Sequence, residues 1–149
     1  MNDLGQPPRR ILVIRHGALG DFILSVGPFM AIRSHHLADH ITLLTTPPFH
    51  DFAQSSGLFN EVWTDTRPSV WAPWNWLALG RRLRDGGFDR VYDLQTSGRS
   101  GLYFRLMGSP KPEWSGIVPG ASHCHTNPGR VHMHTLDRQA EQLAVAGIS

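Results

Sequence analysis

Apolar positions fall into short runs separated by polar, turn-rich stretches, and their spacing switches repeatedly between that of a strand and that of a helix. Residues 11–14 are an unbroken apolar run, as a strand buried on both faces requires. Beyond Gly17 and Gly20 the spacing becomes helical from Phe22 to Arg33, predicting a helix that returns across the sheet. The alternation continues. Residues 41–45 predict a second strand, closed by Pro47 and Pro48, with helical leanings over 50–55, and residues 60–64 predict a third, weakly patterned strand. Trp76, Leu79 and Leu83 mark one face of a helix over 74–84, stopped by Gly86 and Gly87. A fourth strand over 90–94 opens into a polar turn, a short helix over 101–107 is cut off by Gly108 and Pro110, and 115–118 predict a fifth strand. Residues 119–134, rich in Gly, His, Asn and Pro, read as a mobile loop before a final amphipathic helix carrying Leu136, Ala140, Leu143 and Ala144. Strand-like runs alternating with helices predict an α/β fold, a doubly wound and mainly parallel sheet with right-handed crossovers. Residues 1–9 read as a flexible tail and 10–149 as a single domain.

Composition narrows the setting. At 149 residues and 40% hydrophobic content the chain can fill one core. The single cysteine, Cys124, excludes an internal disulfide framework, and a cytoplasmic location is expected. No apolar run approaches the ~18 residues of a spanning helix, so no transmembrane segment is expected. The net charge is only +2, yet every basic residue except Lys111 is arginine, the side chain best shaped for phosphate and carboxylate; a GC-rich genome would give the same excess. Residues 81–84 read as the wet face of a helix rather than a nucleic-acid footprint, and no nucleic-acid partner is expected.

The turn after the first strand carries the candidate chemistry. Gly17 and Gly20 suggest a backbone that approaches something closely or takes positive φ. A phosphate-gripping P-loop would end Gly-Lys-Ser/Thr, whereas this one runs Gly20-Asp21-Phe22. A dinucleotide fingerprint would need a third glycine and an acidic residue ending the second strand, which instead ends Thr45-Thr46, and Asp21 would repel a pyrophosphate at the helix start. Asp21 therefore has two readings that can hold together. It caps the helix by accepting backbone N–H bonds, or it serves as a general base at the mouth of a cleft.

Residues 10–21, Arg-Ile-Leu-Val-Ile-Arg-His-Gly-Ala-Leu-Gly-Asp, with Pro28 and the helix to Arg33, resemble the opening of the lipopolysaccharide heptosyltransferases, glycosyltransferase family 9. Asp93-Leu94-Gln95 followed by Ser97-Gly98-Arg99-Ser100 resembles that family's strand and loop, and His134 with Asp137-Arg138 resembles the end of its first domain. The resemblance implies a Rossmann-like amino-terminal half of a GT-B glycosyltransferase. It also implies inverting transfer of heptose from ADP-heptose to a hydroxyl of the lipopolysaccharide inner core. Asp21 would be the base, without a metal and with no cofactor beyond the donor substrate. Gly17, Ala18, Leu19 and Gly20 are expected to line the substrate site. Arg99 would hold a phosphate or carboxylate of the acceptor, or be a solvated arginine at a helix start; Gln95 would face the cleft or satisfy a neighbouring loop. The partners implied are a lipid A inner-core acceptor at the inner membrane surface, with peripheral attachment there, and an ADP-sugar donor. In that family the donor binds mostly to a second, carboxyl-terminal domain, and the chain stops at Ser149 where that domain would join. The resemblance thus implies an acceptor-side half that does not turn over alone. The alternative is a non-catalytic α/β binding module derived from a truncated glycosyltransferase.

Arg15 and His16 would line the same cleft or serve structure. Trp71, Trp74 and Trp76 around Pro73 read as packing of a helix start on the sheet, with sugar stacking or membrane seating as the other reading. The pairs His123/His125 and His132/His134 lack CxxC or HExxH spacing, and no metal site is expected from them.

Overall fold

The computed structural model describes residues 7–65 and 72–148. In chain order its elements are β1 (Arg10–Ile14), α1 (Leu19–Leu24), α2 (Val26–His35), β2 (His40–Thr45), α3 (His50–Ser55), β3 (Glu61–Thr64), α4 (Pro73–Asp85), β4 (Arg90–Asp93), α5 (Gly98–Leu106), β5 (Glu113–Gly116), β6 (His123–Cys124) and α6 (Thr135–Val145). Short 3-10 turns occupy Pro47–Phe49 and Arg130–His132. The strands form one sheet in the order β3-β2-β1-β4-β5-β6, every pairing parallel. This is the doubly wound α/β architecture that the alternation predicts.

Side chains alternate across β1, so Ile11 and Val13 enter one core with Phe22, Phe29, Ile32 and Leu143, while Leu12 and Ile14 enter the other with Leu83, Tyr103, Phe104 and Trp114. Helices α1, α2 and α6 therefore cover one face and α4 and α5 the other. Ile14 sits in register with Leu44 on one side and Asp93 on the other. The chains then leave the sheet at one level, with the Arg15 amide bonded to the Leu44 carbonyl and the Leu94 amide to the Ile14 carbonyl, both at 3.1 Å. From β1 the chain winds toward β2, and from β4 it winds toward β5. The crevice between those two departures is where open α/β sheets hold ligands.

Several elements differ from their sequence reading for identifiable reasons. The expected helix behind Asp21 breaks at Ser25 into α1 and α2. Pro28 has no N–H to give the Leu24 carbonyl, and the Ser25 hydroxyl turns back onto the Asp21 carbonyl at 2.9 Å. Helix α5 starts at Gly98 because Ser97 and Ser100 form a reciprocal capping box, with serine where glutamate or glutamine is usual. Strand β5 lies two residues earlier than expected and buries Trp114, and β6 sits inside the stretch read as a loop. That stretch is stitched down: the His125 amide bonds the Gly116 carbonyl at 2.7 Å and its ring meets Glu141 at 3.1 Å. Arg9, placed in the tail by sequence, is tied by its amide to Asp39 and by its guanidinium to Glu113. Among the described residues no helix is long and apolar enough to cross a membrane.

Candidate functional site

The β1–α1 turn brings its residues to the crevice in different ways. A Cβ on Gly17 would lie 3.0 Å from the Phe49 ring, so this glycine permits a close approach; a Cβ on Gly20 would meet open space. The expectation that both glycines are constrained holds for Gly17 alone. Ala18 takes the N-cap position and contributes no side-chain cap, so Asp21 is not the cap but the third residue of α1. Its side chain is half exposed, 51%. Leu19, beside it, is exposed as well. Beneath Asp21 lies Arg15, whose buried guanidinium donates to the Leu94 carbonyl at 2.9 Å and approaches the Asp21 carboxylate at 3.9 Å. Burial lowers the Arg15 pKa and the Asp21 charge pulls it back up.

The β4–α5 turn is built around Asp93. Its carboxylate is buried and accepts the Thr96 amide at 2.8 Å, which holds Thr96 in the left-handed region at φ +46°. Burial pushes the Asp93 pKa up to about 6, against hydrogen bonds from the Thr96 amide, the Ser100 side chain and the Gln95 amide. The Gln95 side-chain oxygen accepts the His16 amide at 2.9 Å, so Gln95 satisfies the neighbouring loop, the second of its two readings. The two turns are thereby joined across the switch point.

A third group converges from β3 and α5. Asp65, just past β3, is buried and receives a bidentate contact from Arg99, Nε to Oδ2 at 2.9 Å and Nη2 to Oδ1 at 3.1 Å. The Tyr103 hydroxyl also donates to Asp65 and lies 2.8 Å from His16 Nε2. Burial, then Asp65, raises the Tyr103 pKa. The Arg99 guanidinium lies over the Trp76 ring, 4.5 Å from its centroid. Arg99 is thus neither a solvated helix-start residue nor an open anion ligand; its fork is engaged by a carboxylate. Trp74 is exposed, contrary to the packing expected of it, and Trp71 lies outside the described residues. Asp65 shares an open groove of about 550 Å³ with Gly17, Ala18, Thr46, Pro47, Pro48 and Phe49.

Of the residues expected from sequence, Gly17 and Ala18 line the groove, Arg99 reaches it only through Asp65, Gln95 is tied to the neighbouring turn through the His16 amide, and Leu19, Gly20 and Asp21 stand on the first turn of α1. Sequence reading missed Asp65, Tyr103 and Asp93 as parts of the site. A signal existed for two of them, since Asp65 and Asp93 are carboxylates at or just past the carboxyl ends of strands. The histidine pairs separate: His125 is buried between Arg130 and Glu141, while His134 accepts the Leu136 amide at the start of α6.

Searches of solved structures return three informative likenesses. A family 9 glycosyl transferase from Veillonella parvula aligns over 95% of this chain and 42% of its own, at 20% identity and a TM-score of 0.77. The ADP-heptose lipopolysaccharide heptosyltransferase II of E. coli aligns over 80% of this chain and 35% of its own, at 20% identity and 0.65. The E. coli heptosyltransferase WaaC, solved with ADP-2-deoxy-2-fluoro heptose, aligns over 94% and 49%, at 16% identity and 0.69. The chain has the fold of these transferases. The resemblance read from the sequence is borne out at that level, and the chain spans less than half the length of each structure. No protein-family model and no curated protein sequence matches it.

Proposed function

We propose that this chain is the acceptor-side part of an inverting glycosyltransferase that moves heptose from ADP-heptose to an inner-core hydroxyl of lipopolysaccharide, with Asp21 as general base. The observation that carries this reading is the placement of Asp21: a half-exposed carboxylate on the first turn of α1, at the switch point of the sheet, above a buried arginine. The fold shared with heptosyltransferases supports it.

The chemistry follows from the placement. An acceptor hydroxyl bonded to the exposed Asp21 oxygen loses its proton as its oxygen attacks the anomeric carbon; the carbon–oxygen bond to ADP breaks on the opposite side, ADP leaves, and the configuration inverts. A carboxylate is a far weaker base than an alkoxide, so the proton moves during attack, when the hydroxyl acidifies, and alignment supplies much of the effect. The open space at Gly20 leaves room for a sugar ring beside the carboxylate. Leu19, Ile23 and Phe52 are exposed apolar residues on α1 and α3 that suit an acceptor presented at a membrane surface. ADP would be held by a donor-binding domain, as the incomplete coverage of the structural relatives suggests.

The test is acceptor-dependent release of ADP from ADP-heptose. The 149-residue chain alone should release none above background, and joined to a donor-binding domain it should. ADP release by the chain alone would refute the division of labour. Full activity of Asp21→Asn in the joined form would refute the role of Asp21 and favour a binding module.

A further inference from the structure

Helix α6 lies across one face of the sheet and is tied to the crevice by two glutamines. Gln142 donates to the Asp93 carbonyl at 2.9 Å and to the Ser115 carbonyl at 3.2 Å. Gln139 donates at 3.1 Å to the Ser25 hydroxyl, at the break between α1 and α2. The remaining polar attachments of α6 run through three histidines, at its start, its middle and its end.

At the start, His134 is the N-cap, its Nδ1 accepting the Leu136 amide at 3.2 Å. Only a bare nitrogen can accept, and the helix dipole also opposes an imidazolium at this end. At the middle, the buried His125 accepts Arg130 Nε–H on Nδ1 at 3.1 Å and faces Glu141 of α6 with Nε2, also at 3.1 Å. A guanidinium has no lone pair, so this Nδ1 must be bare and Nε2 carries the proton. At the end, Arg90 donates to the Ala146 carbonyl at 2.8 Å and to the Tyr92 hydroxyl at 3.1 Å. That hydroxyl lies 2.7 Å from Nε2 of the buried His36, whose Nδ1 is 2.7 Å from the Asp39 carboxylate. Asp39 requires a proton on Nδ1, and Arg90 can only donate to the hydroxyl, so Nε2 is left to accept the Tyr92 hydrogen. A second proton on His36 would strand that hydrogen in a fully buried place.

The charges around the rings pull both ways. Burial, the largest influence, lowers the His36 pKa; His35 and Arg90 add to this and Asp39 opposes it. Arg33, bonded to the His36 carbonyl, adds another positive charge. Glu141 draws a proton toward His125, against Arg130 on the other nitrogen and Arg138 of α6, which adds charge beside Arg130. Asp137 is the acid in the first turn behind His134.

We propose that His36, His125 and His134 make α6 an acid-released clamp, held on the sheet by three neutral rings and freed at its start, middle and end when they take up protons. Its departure removes the glutamine bonds from the Asp93 turn and from the α1–α2 junction, so the crevice is complete only while the rings are neutral. The clamp is fully closed above the free histidine pKa near 6.5 and is lost as pH falls below it. The inference stands whatever the crevice binds.

Amide hydrogen exchange of residues 135–145 in the 149-residue chain, corrected for intrinsic rates and compared between about pH 7.5 and about pH 5.5, tests this together with imidazole nitrogen shifts. At the higher pH His36 should be the Nδ1–H tautomer and His125 the Nε2–H tautomer. Each ring that gains a proton on release favours opening by up to about tenfold over this range, and three by up to about 1000-fold. Asp93 gains a proton within the fold over the same range and opposes this by less than about tenfold, so protection of α6 should fall about 100-fold or more. The β1 amides 11–14 should stay more protected than α6 throughout. His134→Asn keeps a cap that does not titrate and should flatten the fall by up to about tenfold. Tyr92→Phe, with no hydroxyl hydrogen to strand, should flatten it too, and His50→Asn on α3 should not. Circular dichroism confirms that each variant is folded, and His134→Asn carries the comparison if Tyr92→Phe is not. The proposal is overturned by a fall of less than about tenfold, by an imidazolium or the opposite tautomer at His36 or His125 at the higher pH, or by a fall unchanged in the folded variants. Equal protection of α6 and β1 overturns it as well, since the whole fold would then be opening.

Discussion

Removing the Asp65 carboxylate should destabilise the fold more than any change at Asp21. Asp65 is 2% exposed and receives two bonds from Arg99 and one from the fully buried Tyr103 hydroxyl. Breaking a buried pair by deleting one member costs about 3–5 kcal/mol. The Arg99 side chain is 22% exposed, so water recovers part of its charge, and Tyr103 retains His16 at 2.8 Å as a partner. Both facts move Asp65→Ala to just below that range, about 2.5 kcal/mol. With a urea m-value near 2 kcal/mol/M, the unfolding midpoint should fall by about 1.2 M. Tyr103→Phe removes a single donor and should cost about 1–2 kcal/mol, and the double variant should lose less than the sum because the two groups share one bond. A midpoint for Asp65→Ala within about 0.3 M of the parent would contradict the reasoning, since it would mean that the Asp65 cluster contributes no net stability.

Asp93 should leave a signature of opposite sign to an ordinary paired carboxylate. Its folded pKa is raised to about 6, so its contribution is fully present below pH 4 and is lost as pH rises through 6. Relative to Asp93→Asn, the parent should lose up to about 3 kcal/mol of urea-derived stability across that window; a pH-independent difference would refute the burial of the charge. Gly17→Ala pushes a methyl against the Phe49 ring and should cost about 1–2 kcal/mol, whereas Gly20→Ala meets open space inside a helix and should stabilise by about 0.5–1 kcal/mol. Equal thermal shifts for the two would show that the glycines are not distinguished as described. Phe22→Ala removes a ring stacked on Phe49 at 4.6 Å and should cost about 3–5 kcal/mol in the same assay, and a loss under 1 kcal/mol would mean that this part of the core is loose.

The sheet was legible because parallel strands buried on both faces read as near-continuous apolar runs; residues 11–14 are unbroken, and 41–44 are interrupted only by the buried Thr42. Strand β6 was not, because two residues that include a histidine carry no period. The break at Ser25 depends on a missing donor three residues later at Pro28, and α5 gained its first turn from a serine pair that does not match the usual capping pattern. In the site, the turn from Gly17 to Asp21 could be found from its glycines and its single acid. The role of Asp21 as a cap failed because the helix starts three residues earlier than an aspartate cap would require. Asp65 stayed hidden because its meaning comes from Arg99 and Tyr103, more than thirty residues away, which only the winding of the sheet brings to it. Arg15 is similar: a strand-end arginine becomes informative only when its burial under Asp21 is known.

The role of Asp21 is tested most directly by comparing ADP release from ADP-heptose by the parent and Asp21→Asn, each joined to a donor-binding domain and supplied with acceptor. Asparagine keeps the size and the helix, so the urea midpoint should stay within about 0.3 M, while a lost general base should slow turnover about 100-fold or more. Turnover equal to the parent with the fold intact would contradict the assignment of Asp21 as the base.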